Sequence, residues 1–198
     1  MTAIDRFQKA IEAFDKANAR DPEKEVSSGA GRPKELLYAE RMSEWLDKLE
    51  PDASEALRLA ARCQHLERWV IPRDEYPMDR PGYLKWRNAL KKYHAGRARE
   101  ILNDVGYDEE TIGRVEDLVM KKGLKTDSEA QTLEDVICLV FLKYYFDDFA
   151  GKHEEEKIIS ILQKTWRKMS PRGQEAALKL EMPDSAKRLV EKALDTPE

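Results

Sequence analysis

The stretch DSEAQTLEDVICLVFLKYYF, residues 127–146, decides the fold. Leu133, Val136, Ile137, Leu139, Val140, Phe141 and Leu142 cover nearly the full circumference of a helix, which predicts a helix enclosed by others on all sides. Asp127 or Ser128 supplies an N-cap oxygen. The most apolar run, 136–146, is broken by Lys143 and falls well short of the roughly 20 residues that cross a bilayer. It predicts a core helix and no membrane span.

Outward from this segment, the pattern is helical in both directions. Ile4, Phe7, Ile11 and Phe14 predict a helix over 3–18, and the Asp, Pro, Ser and Gly that follow predict a loop to Gly31. The Gly-rich SSGAGRP at 27–33 lacks the Lys-Ser/Thr ending and the preceding strand of a phosphate-cradling loop. Pro33 opens a helix with the stripe Tyr38, Met42, Trp45 and Leu49, and Ser54 caps a third that runs to Trp69. Pro72, Pro77 and Pro81 make 70–82 an extended surface loop. Helices over 83–105 and 108–122 are stopped by Gly106 and Gly123, and three more cover 153–168, 171–180 and 184–194. Alternating β-type runs are missing. The expectation is one all-α domain of eight or nine helices over 1–198: an N-terminal helix and loop (1–31), a core (32–150) and C-terminal helices (151–198).

Mixed-sign charge at 37% of 198 residues, with a net charge of -4, argues against a dedicated nucleic-acid binder, whose surface would be basic. The N-terminus has no signal-peptide pattern. Cys63 and Cys138 sit in separate apolar helical patterns, as small buried thiols do, so the expected setting is reducing and cytoplasmic.

The strongest chemical signal is Glu134 and Asp135, because an ionised carboxylate among apolar side chains costs several kcal/mol unless a cation, a metal or backbone amides compensate it. Gln64, His65 and Arg68 follow the inner stripe Leu57, Ala60 and Ala61, and helical projection turns Gln64 and Arg68 inward more squarely than His65. Such a polar helix end is either a pocket floor or a capping network. Arg87 and His94 share a face of the long helix that follows. Two histidines and two carboxylates from different helices are a donor set for zinc, iron or manganese, which makes His65, His94, Glu134 and Asp135 the candidate metal ligands. Arg68, Arg73 and Arg87 are candidates to neutralise an anionic substrate, with Tyr38 and Gln64 to orient it. His153, beside Glu154 to Glu156, reads as solvated.

KELLYAERMSEWL (34–46), AARCQHLERWVIPR (60–73), YLKWRNALKKYHA (83–95), LEDVICLVFL (133–142) and ILQKTWRKMS (161–170) closely resemble the family described as domain of unknown function 4202. A more distant similarity points to the HD-domain superfamily of metal-dependent phosphohydrolases. There, a histidine on one helix, a His-Asp dyad ending the next and a later aspartate bind one or two metals. Laid on this chain, Tyr38 takes the place of the first histidine, Gln64-His65 that of the dyad, and Asp135 or adjacent Glu134 that of the last aspartate. His94 resembles the extra histidine of some two-metal members, whereas Lys121 and Lys122 stand where paired histidines occur. The resemblance implies an HD-like helical core, a divalent metal and a phosphorylated substrate.

Three readings follow. The first is a metal-dependent hydrolase of a phosphorylated or other anionic small molecule, with a metal-bound water as nucleophile. A second is a metal-free binding module for a small anion or nucleotide, built on Gln64, Arg68, Arg87 and Glu134. The third is a helical scaffold whose buried polar groups serve structure alone and which docks a protein partner that the sequence does not identify.

Overall fold

The computed structural model describes residues 3–27, 29–124 and 126–195, so Ser28 of the SSGAGRP stretch and both extreme ends of the expected domain lie outside the described residues. Within them the chain is all-α apart from one short hairpin. In order, α1 (Ala3–Asn18) is followed by β1 (Lys24–Ser27), β2 (Ala30–Pro33), α2 (Lys34–Leu49), α3 (Glu55–Arg62), α4 (Arg80–Val105), α5 (Glu109–Val119), α6 (Ser128–Val140), α7 (Phe146–Ala150), α8 (Glu155–Trp166), α9 (Pro171–Leu178) and α10 (Asp184–Asp195). None of these helices is long and apolar enough to cross a membrane.

α6 takes the central place its composition dictates. Leu133, Val136, Leu139 and Val140 are fully enclosed, α2 packs along it, and α9 closes its far side. The Asp127 carboxylate accepts from the Glu129 and Ala130 N–H groups, the cap that the sequence predicts. Ser54 and Asp108 cap α3 and α5 in the same way, and Gly106 ends α4 at a positive φ of 92° that only glycine adopts without cost. α4 lies along α5, α3 packs on α5, and α8 pairs with α10. One hydrophobic cluster runs from Phe14 of α1 through Met42, Leu59, Leu102 and Val136 to Ala193 of α10. Cys63 and Cys138 are buried and unpaired.

Four features depart from the sequence expectation. The expected loop at 24–33 is an antiparallel hairpin, with Lys24 opposite Pro33 and Ser27 opposite Ala30. Its strands have no apolar alternation to announce them; ion pairs to α2, Arg41 with Glu25 and Arg32 with Glu40, both at 2.6 Å, hold them. Secondly, the enclosed helix widens into a π turn at Phe141–Tyr145 before α7. This split brings the described α-helices to ten, one above the expected range. The π turn presents the Tyr145 hydroxyl to the Arg41 guanidinium at 2.9 Å while Phe146 stays fully buried. A third departure is the Pro-rich segment, which coils into 3-10 turns at Arg68–Val70 and Arg73–Glu75 and hands over to α4 at Arg80.

The fourth departure shapes the site. α3 ends at Arg62, seven residues before Trp69, so helical projection does not apply to Gln64, His65 or Arg68. Glu67 adopts the left-handed region at φ 52°, a conformation that continues no helix. Tertiary bonds outweigh its strain: the Glu67 N–H donates to Asn18 Oδ1 at 2.8 Å, while its carboxylate accepts from Arg97 at 2.7 Å, from the Tyr93 hydroxyl at 3.1 Å and from Arg20.

Candidate functional site

Asn18, fully buried at the end of α1, joins the two halves of the site. Its Oδ1 holds the turn at Glu67, and its Nδ2 donates to the Glu35 carbonyl at 3.4 Å. Asp21 Oδ2 accepts from the Glu35 N–H at 2.8 Å. The first turn of α2 and the turn after α3 are thereby clamped to the same element. This brings His65 face to face with Tyr38, ring centroids 4.0 Å apart and planes 10° from parallel. His94 of α4 lies 5.9 Å from His65, and Tyr145 of the π turn 6.0 Å from Tyr38.

The hydrogen bonds assign the protons. His94 Nδ1 lies 2.7 Å from the Leu66 carbonyl, which only accepts, so Nδ1 carries the hydrogen and Nε2 presents a lone pair. No described protein group reaches that buried Nε2. Arg68 Nη1 lies 3.5 Å from His65 Nε2, and a guanidinium only donates. The His65 Nδ1–H therefore faces Glu35 Oε2 at 3.3 Å. Arg68 Nε stands 3.7 Å from the other Glu35 oxygen. Burial, assisted by Arg68, Lys121, Arg87 and Lys34, pushes the His65 imidazolium far below its ordinary range, and burial with the neighbouring His65 takes His94 down to about 3. Both rings are neutral near pH 7. Burial raises the Glu35 carboxyl to about 7 despite the opposing pull of Arg68 and Lys34.

Around these rings the charge is positive. Arg68, Arg87 and Lys121 all act on His65, while Arg87 and Lys121, after burial, hold the Lys91 ammonium below its usual range. Arg68 also lies over the Trp86 ring at 4.9 Å and Arg87 over Tyr83 at 5.8 Å. Arg68, Arg87 and Lys121 thus act on His65, with Lys91 near the last two, against two carboxylates, Glu35 and the Glu134 that pairs with Lys121; Lys34, which also acts on His65, is paired with Glu23.

The structure distributes the candidate residues unevenly. Of the four candidate metal ligands, His65 and His94 come together. Glu134 forms an ion pair with Lys121. Asp135 is turned to α9, where Oδ1 accepts from the Ser170 N–H at 2.8 Å and the Gln131 amide at 3.0 Å, and Oδ2 from the Ser170 hydroxyl. Among the described residues no three His, Cys, Asp or Glu side chains are grouped to hold a metal ion. Tyr38 and Arg68 belong to the cluster by contact, and Arg87 by its charge. Gln64 is buried next to His65 with its Oε1 unpartnered. Arg73 clamps the Pro-rich turn instead, donating to the carbonyls of Tyr76 at 2.9 Å and Pro77 at 2.8 Å. His153 is partly covered: Lys157 Nζ lies 3.2 Å from its Nδ1 and its ring meets Phe149 at 4.4 Å.

Glu35 and Lys121 were not among the candidates. Glu35 is a first-turn acid of α2, an ordinary partner of the helix dipole, and Lys121 lies just past the end of α5 at a φ of 60°. The available signal was Glu35 lying one turn before Tyr38 on the buried stripe of α2.

No curated protein and no solved structure matches this chain. The model of the family described as domain of unknown function (DUF4202) matches residues 8–190, nearly the whole length, and the chain belongs to that family.

Proposed function

We propose that the chain binds a small anionic molecule, phosphorylated or carboxylated, over the Tyr38–His65–His94 cluster. One observation carries this reading: Arg68, 3.5 Å from the His65 ring, acts with Arg87 and Lys121 on that neutral imidazole, Lys91 lies near the last two, and the local acids, one of them half protonated near pH 7, do not balance them. Like charges held together at a partly buried site repel, and an anion supplies the missing counter-charge. Arg68 offers a planar fork for two ligand oxygens, and Lys91 and Lys121 act as point charges. Sulfate is a suitable first probe because it stays doubly charged at all working pH values. In the presence of chelator it should raise the melting temperature by about 5 °C at roughly a hundredfold excess over its Kd. The double variant Arg87→Ala/Lys91→Met should lose the shift. A wild-type protein indifferent to sulfate and phosphate would remove the basis of the reading.

A second reading, a metal-dependent hydrolase on an HD-like core, draws on the lone pair of His94 Nε2 beside His65, since a ligating imidazole commonly donates its other N–H to a carbonyl. The donor set is incomplete for a resident ion. Asp135 is committed to Ser170 and Gln131, and Glu134 to Lys121. No reaction step through a metal follows from this arrangement. Zinc, iron or manganese retained at one equivalent in unchelated protein, read by elemental analysis, would favour this second reading.

A further inference from the structure

We infer that the bound molecule carries a hydroxyl group as well as its negative charge, and that this hydroxyl donates to His94 Nε2; the ligand class is a phosphate ester of a polyol or sugar. The inference rests on the anion-binding reading and adds the second half of the ligand. His94 is 2% exposed, and its ring is oriented by the 2.7 Å bond from Nδ1 to the Leu66 carbonyl. That bond leaves Nε2 able only to accept, and it has no acceptor's partner among the described groups. A fully ionised inorganic anion would set oxygen lone pairs against it. A ligand O–H satisfies it, while the ester's phosphate meets Arg68 and Lys121.

The side chains next to His94 are not tightly fastened. His65, which is partly exposed, touches Glu35 at 3.3 Å and Arg68 at 3.5 Å, and Arg68 reaches Glu35 only at 3.7 Å. These are long contacts, which a ligand bearing its own donors and charges can replace.

The test compares glycerol 3-phosphate and ribose 5-phosphate with methyl phosphate by calorimetry, in chelator, with sulfate as the charge-only probe. The wild type should bind at least one hydroxylated ester about tenfold more tightly than methyl phosphate, the range expected when a buried acceptor gains or loses its partner. His94→Phe, its fold checked by circular dichroism, should abolish that preference. His94→Leu, which likewise removes the acceptor, serves if the phenylalanine variant does not fold. Equal affinity for the hydroxylated and methyl esters, or a preference that survives both substitutions, overturns the inference and leaves anion binding standing. So does stabilisation by zinc that depends on His94, because the lone pair would then belong to a metal. No response to sulfate or to any ester overturns both the inference and the reading beneath it.

Discussion

Asp135 and Glu35 are both carboxylates enclosed by the core, 2% and 7% exposed, and the fold treats them in opposite ways. Asp135 receives the Ser170 N–H, the Ser170 hydroxyl and the Gln131 amide, and a Cβ placed on Gly173 would fall 2.6 Å from its Cγ. It is a fastener that ties the start of α9 to α6. Glu35 has a neutral imidazole at 3.3 Å and a guanidinium at 3.7 Å, and burial lifts it to about 7. A buried acid with its hydrogen bonds made is part of the frame. One left with long contacts, among excess cations and an unpaired imidazole nitrogen, marks the place where the chain has stopped satisfying itself.

The largest expected effect lies on the fastened side. Asp135→Ala strands the Ser170 and Gln131 donors and should cost about 4 kcal/mol in urea unfolding. A loss under about 1 kcal/mol would break the contrast, because Asp135 would then not be holding α9.

On the other side, the sign reverses. Folded Glu35 holds its proton up to a pH of about 7 against an ordinary 4.5, so the cost of its ionisation is absent below 4.5, grows with pH and is complete above 7. Glu35→Gln should therefore equal the wild type at pH 4.5 and exceed it by about 3 kcal/mol above pH 7. His65 and His94 act oppositely: with folded values depressed below 6.5, to about 3 for His94, their contribution is complete above 6.5 and is lost as pH falls from there. Two imidazoles outweigh one carboxyl over that window. The wild type should be most stable between about pH 6.5 and 7 and weaken on acidification, a profile that denaturant melts at stepped pH will read.

Smaller effects sharpen the same comparison. Gly173→Ala forces the Asp135 side chain off its partners and should cost about 2 kcal/mol. Gln131→Ala removes one of the donors to Asp135 and should cost about 1 kcal/mol. In combination with Asp135→Ala each of these should lose most of its own cost, since the shared partner is already gone; additive penalties in the double variants would contradict the network.

Much of the frame was legible in residue order. The enclosed helix, the caps at Ser54 and Asp127 and the stop at Gly106 are local features, set by side chains within four residues of one another, whereas α5 ends at Val119 on a left-handed Lys121, ahead of the expected stop at Gly123. The cluster was half legible. Tyr38, His65, Arg68, Arg87 and His94 stood out by type and placement, but Asp135 has the same signature as a ligand and as a fastener, and only Ser170, 35 residues later, tells the two apart. Glu35 looked like a routine first-turn acid until Asn18 and Asp21 held its backbone against the turn after α3.

By itself, the sequence determined an all-α chain around α6, because hydrophobic periodicity and capping are short-range physics that each segment carries alone. Tertiary structure alone decided where α3 stops, whether the chain widens at the π turn, and which buried polar groups find partners. Those outcomes depend on bonds such as Asn18 to Glu67 and Arg41 to Tyr145, which close across 49 and 104 residues, and no local pattern encodes which distant donor arrives.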